Sequence, residues 1–267
     1  MSWVYTKMHG AGNTFVVVED LAGQFEGGNG ALVRAICDAD AGVGSDGLLL
    51  VQRSENADVR MRFYNPDGCE VAMCGNGARC LAWLAVNAGL AGERLRMETG
   101  AGVLTAEVRG EWVRLEMGVW QSECLDVELA CGWRVDLLNT GVAHAVHWVR
   151  SVKELELLEW ERMGSLIRWD DYFQPEGTNA SAAVVDEQGV LSIRTFERGV
   201  EGETLACGTG ALATARLAVV RGACSFPVEV RCRSGEKLMV DDVEGCMVLS
   251  GRAVKMEEGV WSGGDRV

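Results

Sequence analysis

The chain has 267 residues, of which 48% are hydrophobic and 24% are charged. This length exceeds that of one small domain and suits two domains of ordinary size. The formal net charge of −14 argues against a nucleic-acid-binding surface, and no tract of lysine and arginine offsets it. No segment is long and apolar enough to predict a membrane-spanning helix.

The start of the chain and its cysteines indicate a cytoplasmic location. The first ten residues lack the positively charged segment and the apolar segment of a secretion signal. Ten cysteines are scattered along the chain, none in a C-x-x-C motif, and three histidines accompany them. We therefore expect no structural zinc site, and reduced thiols in the cytoplasm fit this pattern best.

Short strands separated by glycine dominate the predicted first half. Alternating or apolar runs bounded by turn residues predict these strands. A surface helix is predicted at 30–37 and an alanine-rich helix at 76–88. The predicted strands cover residues 4–8, 15–19, 48–53, 59–64, 94–99, 102–109 and 111–117.

The second half has the same character. A surface helix is predicted at 152–167 and a second alanine-rich helix at 208–221. Both alanine-rich helices are apolar almost all round, which is typical of helices buried within a sheet. The predicted strands cover residues 133–139, 145–149, 182–186, 191–197, 228–232, 237–243 and 247–251.

One phrase occurs twice, 133 residues apart. Around Cys74 the sequence reads C-G-N-G-A-R-C-L-A-W-L-A-V, and around Cys207 it reads C-G-T-G-A-L-A-T-A-R-L-A-V. Eight of the thirteen positions match in register, and the offset is half the chain length. The repeat therefore predicts a duplicated domain, with a thiol just before an apolar helix in each copy.

Two such thiols suit inversion at a carbon atom. A cysteine at a helix start faces backbone N–H groups and the positive end of the helix dipole. This environment lowers a thiol pKa from about 8.5 toward the range of about 3.5–7.5. A thiolate can remove the α-proton of an amino acid while a thiol returns one to the opposite face, and the helix starts can bind the carboxylate. No motif for pyridoxal phosphate or for a phosphate-binding loop is present, so we expect neither cofactor nor metal.

Six sequence blocks, which include both cysteine phrases, are specific enough to compare with known families. They are K-M-H-G-A-G-N-T-F (7–15), A-G-V-G-S-D-G-L (41–48), R-F-Y-N-P-D-G-C-E-V-A-M-C-G-N-G-A-R-C (62–80), N-T-G-V-A-H (139–144), E-G-T-N (176–179) and E-R-G-V-E-G-E-T-L-A-C-G-T-G-A (197–211). In this order they span nearly the whole chain. Together they resemble the diaminopimelate epimerase family.

The resemblance implies roles for individual residues. Cys74 and Cys207 would be the acid/base pair, conventionally proton donor and proton acceptor, and His144 and Glu197 would tune the thiol pKa values. Asparagines would hold the amino and carboxyl groups of the substrate, and backbone donors would bind the reacting carboxylate. The implied substrate-binding residues are Asn13, Asn65, Asn179, Gly75, Asn76, Gly208, Thr209, Glu197 and Arg198.

The resemblance also implies a fold and a reaction. We expect an α+β fold of two pseudo-symmetric domains, each a mostly antiparallel β-sheet wrapped around a central helix. Residues 1–117 with the returning segment 253–267 would form one domain and 118–252 the other, with the site in the cleft between them. The reaction would interconvert LL- and meso-2,6-diaminopimelate in lysine and peptidoglycan precursor synthesis. A small amino-acid substrate is the expected partner, and the assembly stays open between monomer and homodimer.

Three positions depart from the family pattern. Thr14 stands where an aspartate is common, Val142 where an asparagine is common, and Gly47 where some members carry glutamine. A racemase of another amino acid, such as histidine, therefore stays an alternative. A second alternative is a redox sensor in which Cys74 and Cys207 form a regulated disulfide. A sensor would not exchange the α-protons of an amino acid.

Overall fold

The computed structural model describes residues 2–25 and 29–263. The chain divides into two units. Unit 1 runs to Glu116 and resumes at Gly251, and unit 2 is Met117–Ser250. Within the described residues, no helix has the length and apolar character needed to cross a membrane.

The elements of unit 1 are β1 (Ser2–Gly10), β2 (Asn13–Glu19), α1 (Gly30–Cys37), β3 (Leu48–Gln52), β4 (Val59–Tyr64), β5 (Glu70–Val71), α2 (Gly75–Asn87), β6 (Arg94–Thr99), β7 (Gly102–Arg109), β8 (Trp112–Val119) and β18 (Val254–Ser262). The strands pair in the order β18–β1–β2–β3–β4–β6–β7–β8, and β5 pairs with β4. The pairs β2–β3 and β4–β6 are parallel. Each of these two steps passes through a helix, because parallel strands need a long connection.

The elements of unit 2 are β9 (Cys124–Glu128), β10 (Arg134–Asn139), β11 (Ala143–Trp148), α3 (Val152–Leu157), α4 (Trp160–Arg168), β12 (Asn179–Val185), β13 (Leu191–Glu197), β14 (Gly202–Thr204), α5 (Gly208–Val220), β15 (Val228–Arg231), β16 (Lys237–Val243) and β17 (Cys246–Arg252). The strands pair in the order β9–β10–β11–β12–β13–β15–β16, and β14 pairs with β13. The pairs β11–β12 and β13–β15 are parallel. Unit 2 thus repeats the topology of unit 1, and the duplication predicted from the cysteine phrases extends to the sheets.

Most predicted elements are confirmed. Every predicted strand is present, as are the helices predicted at 30–37, 76–88 and 208–221, with ends shifted by a few residues at most. Local patterns did not predict strands β5, β9, β14 and β18, although the returning segment 253–267 that the resemblance implies contains β18. β18 is mostly exposed and lacks an alternating pattern. It forms because it pairs along the whole of β1, which would otherwise leave an open sheet edge.

The single helix predicted at 152–167 is wrong. The chain forms α3 and α4 instead, and Leu158 is extended between them (φ −61°, ψ 133°). The break exposes carbonyl groups at the end of α3 to a buried arginine. Arg194 Nη1 donates to the carbonyl oxygens of Leu155 (2.9 Å) and Leu158 (3.0 Å). These tertiary contacts have no signal in the local pattern.

In each unit one helix lies inside the sheet. Helix α2 packs against β1, β2, β3, β4 and β7, and α5 packs against β10 to β13, β15 and β16. Small residues permit this close packing. A Cβ atom on Gly10 would lie 2.8 Å from the carbonyl oxygen of Asn76, so glycine lets β1 approach the first turn of α2. The first turn of the helix is thereby held against the strand that precedes Asn13.

A buried carboxylate binds Arg221, the residue that caps the carboxyl end of α5. Asp136 is fully buried, and both of its oxygens accept hydrogen bonds from Arg221. Trp148 Nε1 (2.6 Å) and the backbone N–H of Asp126 (2.9 Å) also donate to it. Burial alone would raise the pKa of Asp136, but the hydrogen bonds from Arg221, Asp126 and Trp148 hold it below its ordinary value.

Replacing this carboxylate is expected to destabilise the protein. Asp136→Asn removes the charge beside Arg221, and we expect the free energy of unfolding at neutral pH to fall by about 2–4 kcal/mol. The loss is moderated because Arg221 keeps Asp126 at 3.0 Å. The wild-type contribution is present above the ordinary carboxyl pKa and is lost as the pH falls below about 4, because folding lowers this pKa.

Urea unfolding followed by circular dichroism measures this loss. The control is Glu229→Gln, which breaks the more exposed pair with Lys237 (2.9 Å) and should cost below about 1 kcal/mol. Equal losses in the two variants would contradict the assigned role of Asp136.

Candidate active site

The residues singled out from the sequence form one group in each unit. We call the group in unit 1 the Cys74 cluster and the group in unit 2 the Cys207 cluster. Each is built around the first turn of the internal helix. The Cys74 cluster comprises Asn13, Cys74, Gly75 and Asn76, and Asn65 lies in the turn after β4 of the same unit. The Cys207 cluster comprises His144, Asn179, Glu197, Arg198, Cys207, Gly208 and Thr209.

Cys74 is the residue that caps the amino end of α2. Its backbone is extended (φ −138°, ψ 120°), and its side chain is half-buried. The first intrahelical hydrogen bond runs from Ala78 N–H to the Cys74 carbonyl (2.8 Å). The N–H groups of residues 75–77 precede that bond, and such groups at a helix start bind carboxylates well.

Asn13 and Asn76 are brought together in this cluster. β1 and β2 are joined by a two-residue turn in which Ala11 (φ 55°) and Gly12 (φ 95°) are both left-handed, the backbone typical of a type I′ hairpin. The turn delivers Asn13 to the start of α2. There Asn76 Nδ2 donates to Asn13 Oδ1 (2.8 Å).

Asn65 lies apart from this hydrogen-bonded pair. It begins the turn after β4, where its N–H donates to the Cys69 carbonyl (3.0 Å) and its carbonyl accepts from Gly68 N–H (2.9 Å). The side chain of Asn65 is half-buried and makes no hydrogen bond to any residue that the structure describes. The turn thus uses the backbone of Asn65 and does not use its side-chain amide.

The departures from the family pattern have local structural consequences. The N–H and hydroxyl of Thr14 both donate to Asp46 Oδ2 (2.8 and 3.2 Å), which fixes the start of β2. A Cβ atom on Gly47 would lie 2.5 Å from the Phe63 ring and 2.8 Å from a backbone oxygen. A glutamine at position 47 would therefore require the Phe63 ring and the backbone to move. Val142 lies in the turn before β11, where its carbonyl accepts a hydrogen bond (3.1 Å).

Cys207 caps the amino end of α5 and is almost fully buried. Its sulfur accepts from Gly210 N–H (3.4 Å) and lies 3.5 Å from Thr209 Oγ1. A Cβ atom on Gly210 would lie 3.3 Å from that sulfur, so glycine keeps room for the thiol. Burial raises the pKa of Cys207 well above its ordinary value, and the charge of Glu197 raises it further.

The expectation that the helix start lowers the thiol pKa is therefore wrong for Cys207. The hydrogen bonds from Thr209 and Gly210 do lower this pKa, but burial and the carboxylate outweigh them. Burial also raises the pKa of Glu197, against hydrogen bonds from Thr204 and Cys207. The thiol keeps its proton, and its S–H group donates a hydrogen bond to the Glu197 carboxylate. Thr204 Oγ1 also donates to Glu197 Oε1 (2.5 Å).

His144, Asn179 and Arg198 form a connected chain in the same cluster. Asn179 Oδ1 accepts from the backbone N–H of Arg198 (2.8 Å), and Asn179 Nδ2 lies 3.5 Å from His144 Nε2. Burial lowers the pKa of His144 to about 3, and the positive charge of Arg198 adds to this effect. The imidazole is therefore neutral at physiological pH, and it carries no charge that could stabilise a thiolate.

Arg198 is exposed and anchored at one point. Its Nη1 donates to the Glu176 carbonyl (2.8 Å). Its remaining guanidinium donors make no hydrogen bond to the residues described by the structure. An arginine fork can bind both oxygens of a carboxylate, so Arg198 is suited to a second carboxylate of a ligand.

Sequence reasoning missed two buried arginines that support the clusters. Arg79 contacts the first turn of α2 and is fully buried; its signal was a charge within an otherwise apolar helix. Arg168 donates to Glu201 (3.0 Å), and a Cβ atom on Gly177 would lie 1.9 Å from its guanidinium. Arg168 thus contacts the turn that follows Arg198 and the turn that precedes Asn179. Because these contacts are distant in the sequence, no local pattern predicted them.

Comparison with known proteins decides the family. The model of the diaminopimelate epimerase family matches residues 5–122 and 137–256. The chain belongs to the diaminopimelate epimerase family. It is 41% identical to the diaminopimelate epimerase of Archaeoglobus fulgidus over 97% of this chain and 96% of that one. The identity to the diaminopimelate epimerase of Chlorobaculum tepidum is 42%, over 87% and 90% of the two chains.

Solved structures share the fold of this isomerase. A phenazine biosynthesis protein of the PhzF family from Bacillus anthracis aligns with a TM-score of 0.75 at 18% identity, covering 98% of this chain and 99% of that one. A hydroxyproline epimerase from Agrobacterium vitis, with bound trans-4-OH-L-proline, aligns with a TM-score of 0.68 at 18% identity, covering 97% and 92%. At such identities these matches concern the fold alone. The predicted fold class, an α+β fold of sheets wrapped around central helices, is confirmed.

The neutral His144 predicts a pH dependence of stability. In the unfolded chain an imidazole takes up a proton near pH 6.5, whereas His144 in the folded protein does so only near about 3. Its contribution to stability is complete above pH 6.5. It is lost by about 1.4 kcal/mol per pH unit as the pH falls below that value.

We expect His144→Gln to remove this slope between about pH 6 and 5, where carboxyl groups have not yet titrated. Urea unfolding at several pH values measures the free energy of unfolding of both proteins. The difference between them at about pH 7.5 is the reference to which the differences at lower pH are compared. Identical slopes in the two proteins would contradict a neutral buried imidazole.

The raised pKa of Cys207 is tested through its neighbour. Glu197→Gln removes a negative charge next to the sulfur, so the pKa of Cys207 should fall toward its ordinary value. The pH dependence of iodoacetamide labelling, followed by mass spectrometry of the Cys207 peptide, measures this change. Glu187→Gln, at an exposed turn, is the control and should leave the profile unchanged. A profile that does not move in Glu197→Gln would show that the carboxylate does not act on the thiol.

Proposed function

We propose that the protein interconverts LL- and meso-2,6-diaminopimelate, with Cys74 and Cys207 as the acid and base. The observation that carries this proposal is the placement of both thiols. Each caps the amino end of the buried helix of its unit, and the two units have the same topology. Membership of the diaminopimelate epimerase family supports the substrate.

The two helix starts would bind the reacting carboxylate. The N–H groups at Gly75 and Asn76, and those at Gly208 and Thr209, lie in the first turns of α2 and α5. Such groups stabilise the negative charge that moves onto the carboxylate when the α-proton leaves.

The proton transfers are balanced. A thiolate takes the α-proton and forms an S–H bond, and the electron pair of the broken C–H bond passes into the carboxylate. The opposite thiol then loses its proton to the α-carbon on the other face, and its own electron pair stays on sulfur as a thiolate. The configuration is inverted and the thiols have exchanged protonation states.

The raised pKa of Cys207 supports a role as proton donor. A turnover that begins with Cys207 protonated uses Cys207 as the acid and Cys74 as the base. The reverse reaction uses Cys74 as donor and Cys207 as acceptor, the order that the resemblance assigns. The Glu197 carboxylate, which accepts from the thiol, would take part in tuning both directions.

The remaining residues would bind the distal amino and carboxyl groups of the substrate. Arg198 has guanidinium donors suited to the distal carboxylate. The side-chain amide of Asn65 and the second N–H of Asn179 could contact the distal amino and carboxyl groups. Only the near centre would then invert. Reaction by two thiols requires that they stay reduced, which fits a cytoplasmic enzyme of lysine and peptidoglycan precursor synthesis.

The test is proton NMR of LL-diaminopimelate with reduced protein in D2O and no added cofactor. We expect loss of one α-proton signal and growth of the meso isomer. Cys74→Ala and Cys207→Ala should each slow this epimerisation by at least about 10²–10⁴-fold, because each removes one proton carrier. The controls are Cys69→Ala and Cys124→Ala, which change one exposed cysteine in each unit and should keep the wild-type rate.

Two outcomes would contradict the proposal. Full turnover by either Cys74→Ala or Cys207→Ala would exclude the two-thiol mechanism. Absence of exchange on diaminopimelate together with exchange on histidine would retain the mechanism and replace the substrate.

A further inference from the structure

A buried charge distinguishes the Cys74 cluster from the Cys207 cluster. Arg79 lies on the second turn of α2 and has no exposed surface. In the register of the sequence repeat, the equivalent residue of α5 is Leu212. Burying a guanidinium group is unfavourable unless it is well hydrogen-bonded. We therefore expect Arg79 to have a role that has no counterpart in the helix of unit 2.

The side chain of Arg79 turns back toward the start of its own helix. Its Nη2 donates to Asn76 Oδ1 (2.8 Å), and its Nη1 donates to the Gly75 carbonyl (3.4 Å). Both acceptors belong to the first turn of α2. The guanidinium thus contacts the two residues whose N–H groups are proposed to bind the reacting carboxylate.

These contacts also determine the orientation of the Asn76 side chain. Because Arg79 can only donate, it selects the carbonyl oxygen of the Asn76 amide as its partner. The amino group of that amide must then point the other way, where it donates to Asn13 Oδ1 (2.8 Å). Arg79, Asn76 and Asn13 form one chain of hydrogen bonds from the helix interior to the hairpin turn.

The charge of Arg79 acts in the same direction as the helix start. A buried cation near the amino end adds to the positive potential of the helix dipole. The charge also acts on the next residue. Burial raises the pKa of Cys80 to about 12, and the positive charge of Arg79 opposes that rise. In the Cys207 cluster the charge next to the thiol has the opposite sign and comes from Glu197, which is half-buried.

We propose that Arg79 is a positioning residue that presets the first turn of α2, through Asn76 and Asn13, to receive the substrate carboxylate. This inference rests on the proposed function. It assigns the greater share of carboxylate binding to the Cys74 cluster, because the buried charge of Arg79 contacts the first turn of α2, whereas Glu197 places a negative charge next to Cys207. A merely structural arginine would support folding without affecting binding.

The variants separate these two roles. Arg79→Met keeps the length of the side chain and removes the charge and the donors, and Arg79→Lys restores the charge without the planar fork. Asn76→Ala and the double variant Arg79→Met/Asn76→Ala complete a cycle. The matched control is Leu212→Met, which alters the equivalent position of α5. Thermal unfolding and circular dichroism establish that each variant is folded.

Two measurements are made on each folded variant. The first is kcat and KM for epimerisation of LL-diaminopimelate. The second is hydrogen–deuterium exchange of the peptide that contains the N–H groups of residues 75–77, which needs no substrate. For Arg79→Met we expect kcat/KM to fall at least about tenfold, mainly through a higher KM. We expect exchange at 75–77 to be faster by a similar factor, with Arg79→Lys intermediate and Leu212→Met unchanged.

The double-mutant cycle of Arg79 and Asn76 tests whether Arg79 affects substrate binding through Asn76. If Arg79 acts through Asn76, the double variant loses no more than the worse single variant, because both changes break the same chain. Additive losses would overturn the positioning role, as would a folded Arg79→Met protein with wild-type kcat/KM. If wild-type protein does not act on diaminopimelate, the proposed function fails. The exchange at 75–77 then decides the role of Arg79, and an unchanged rate in Arg79→Met would overturn it.

Discussion

The first turn of a helix presents N–H groups that precede its own hydrogen-bond ladder, and this protein places two such turns inside curved sheets. In each unit the helix is surrounded by strands, so its first turn lies among buried groups where an electrostatic interaction is strong. Small residues make this possible. Gly10 admits the strand beside the first turn of α2, and Gly210 leaves space for the sulfur of Cys207. The cysteines follow from this constraint, because each occupies the residue at which its helix begins.

The two units have the same topology, but the charged side chains near their cysteines differ. Around Cys74 the buried ionic group is a guanidinium, and next to Cys207 the ionic group is a half-buried carboxylate, with a neutral imidazole elsewhere in the same cluster. Two identical environments would favour the same protonation state at both thiols. An acid/base pair needs one thiol to hold a proton while the other accepts one. The duplicated fold therefore supplies similar geometry, and its unlike side chains give the two thiols different charged neighbours.

Much of this architecture could be predicted from local patterns. The repeated cysteine phrase identified both internal helices, and alternation identified most strands, because periodic burial leaves a periodic sequence. Prediction failed where a distant group determines the local structure. Arg194 stabilises the break between α3 and α4 through carbonyl oxygens. The pairing of β18 with β1 left no local pattern either, and the resemblance alone implied a returning C-terminal strand. The candidate residues of each cluster were identified by resemblance, but the supporting arginines at 79 and 168 were not.

The sequence by itself determined the duplication, the two helix-capping thiols and the family, because these depend on residue identity and on spacing along the chain. Only the tertiary structure decided the chemical state of the groups. Cys207 stands at a helix start, which favours a thiolate, yet burial and the Glu197 carboxylate keep its proton in place. His144 is an ordinary histidine in the sequence and a neutral one in the fold, since burial and Arg198 both disfavour its charge. Proton affinity depends on solvent access and on charges brought near by folding, and neither is written in the local sequence.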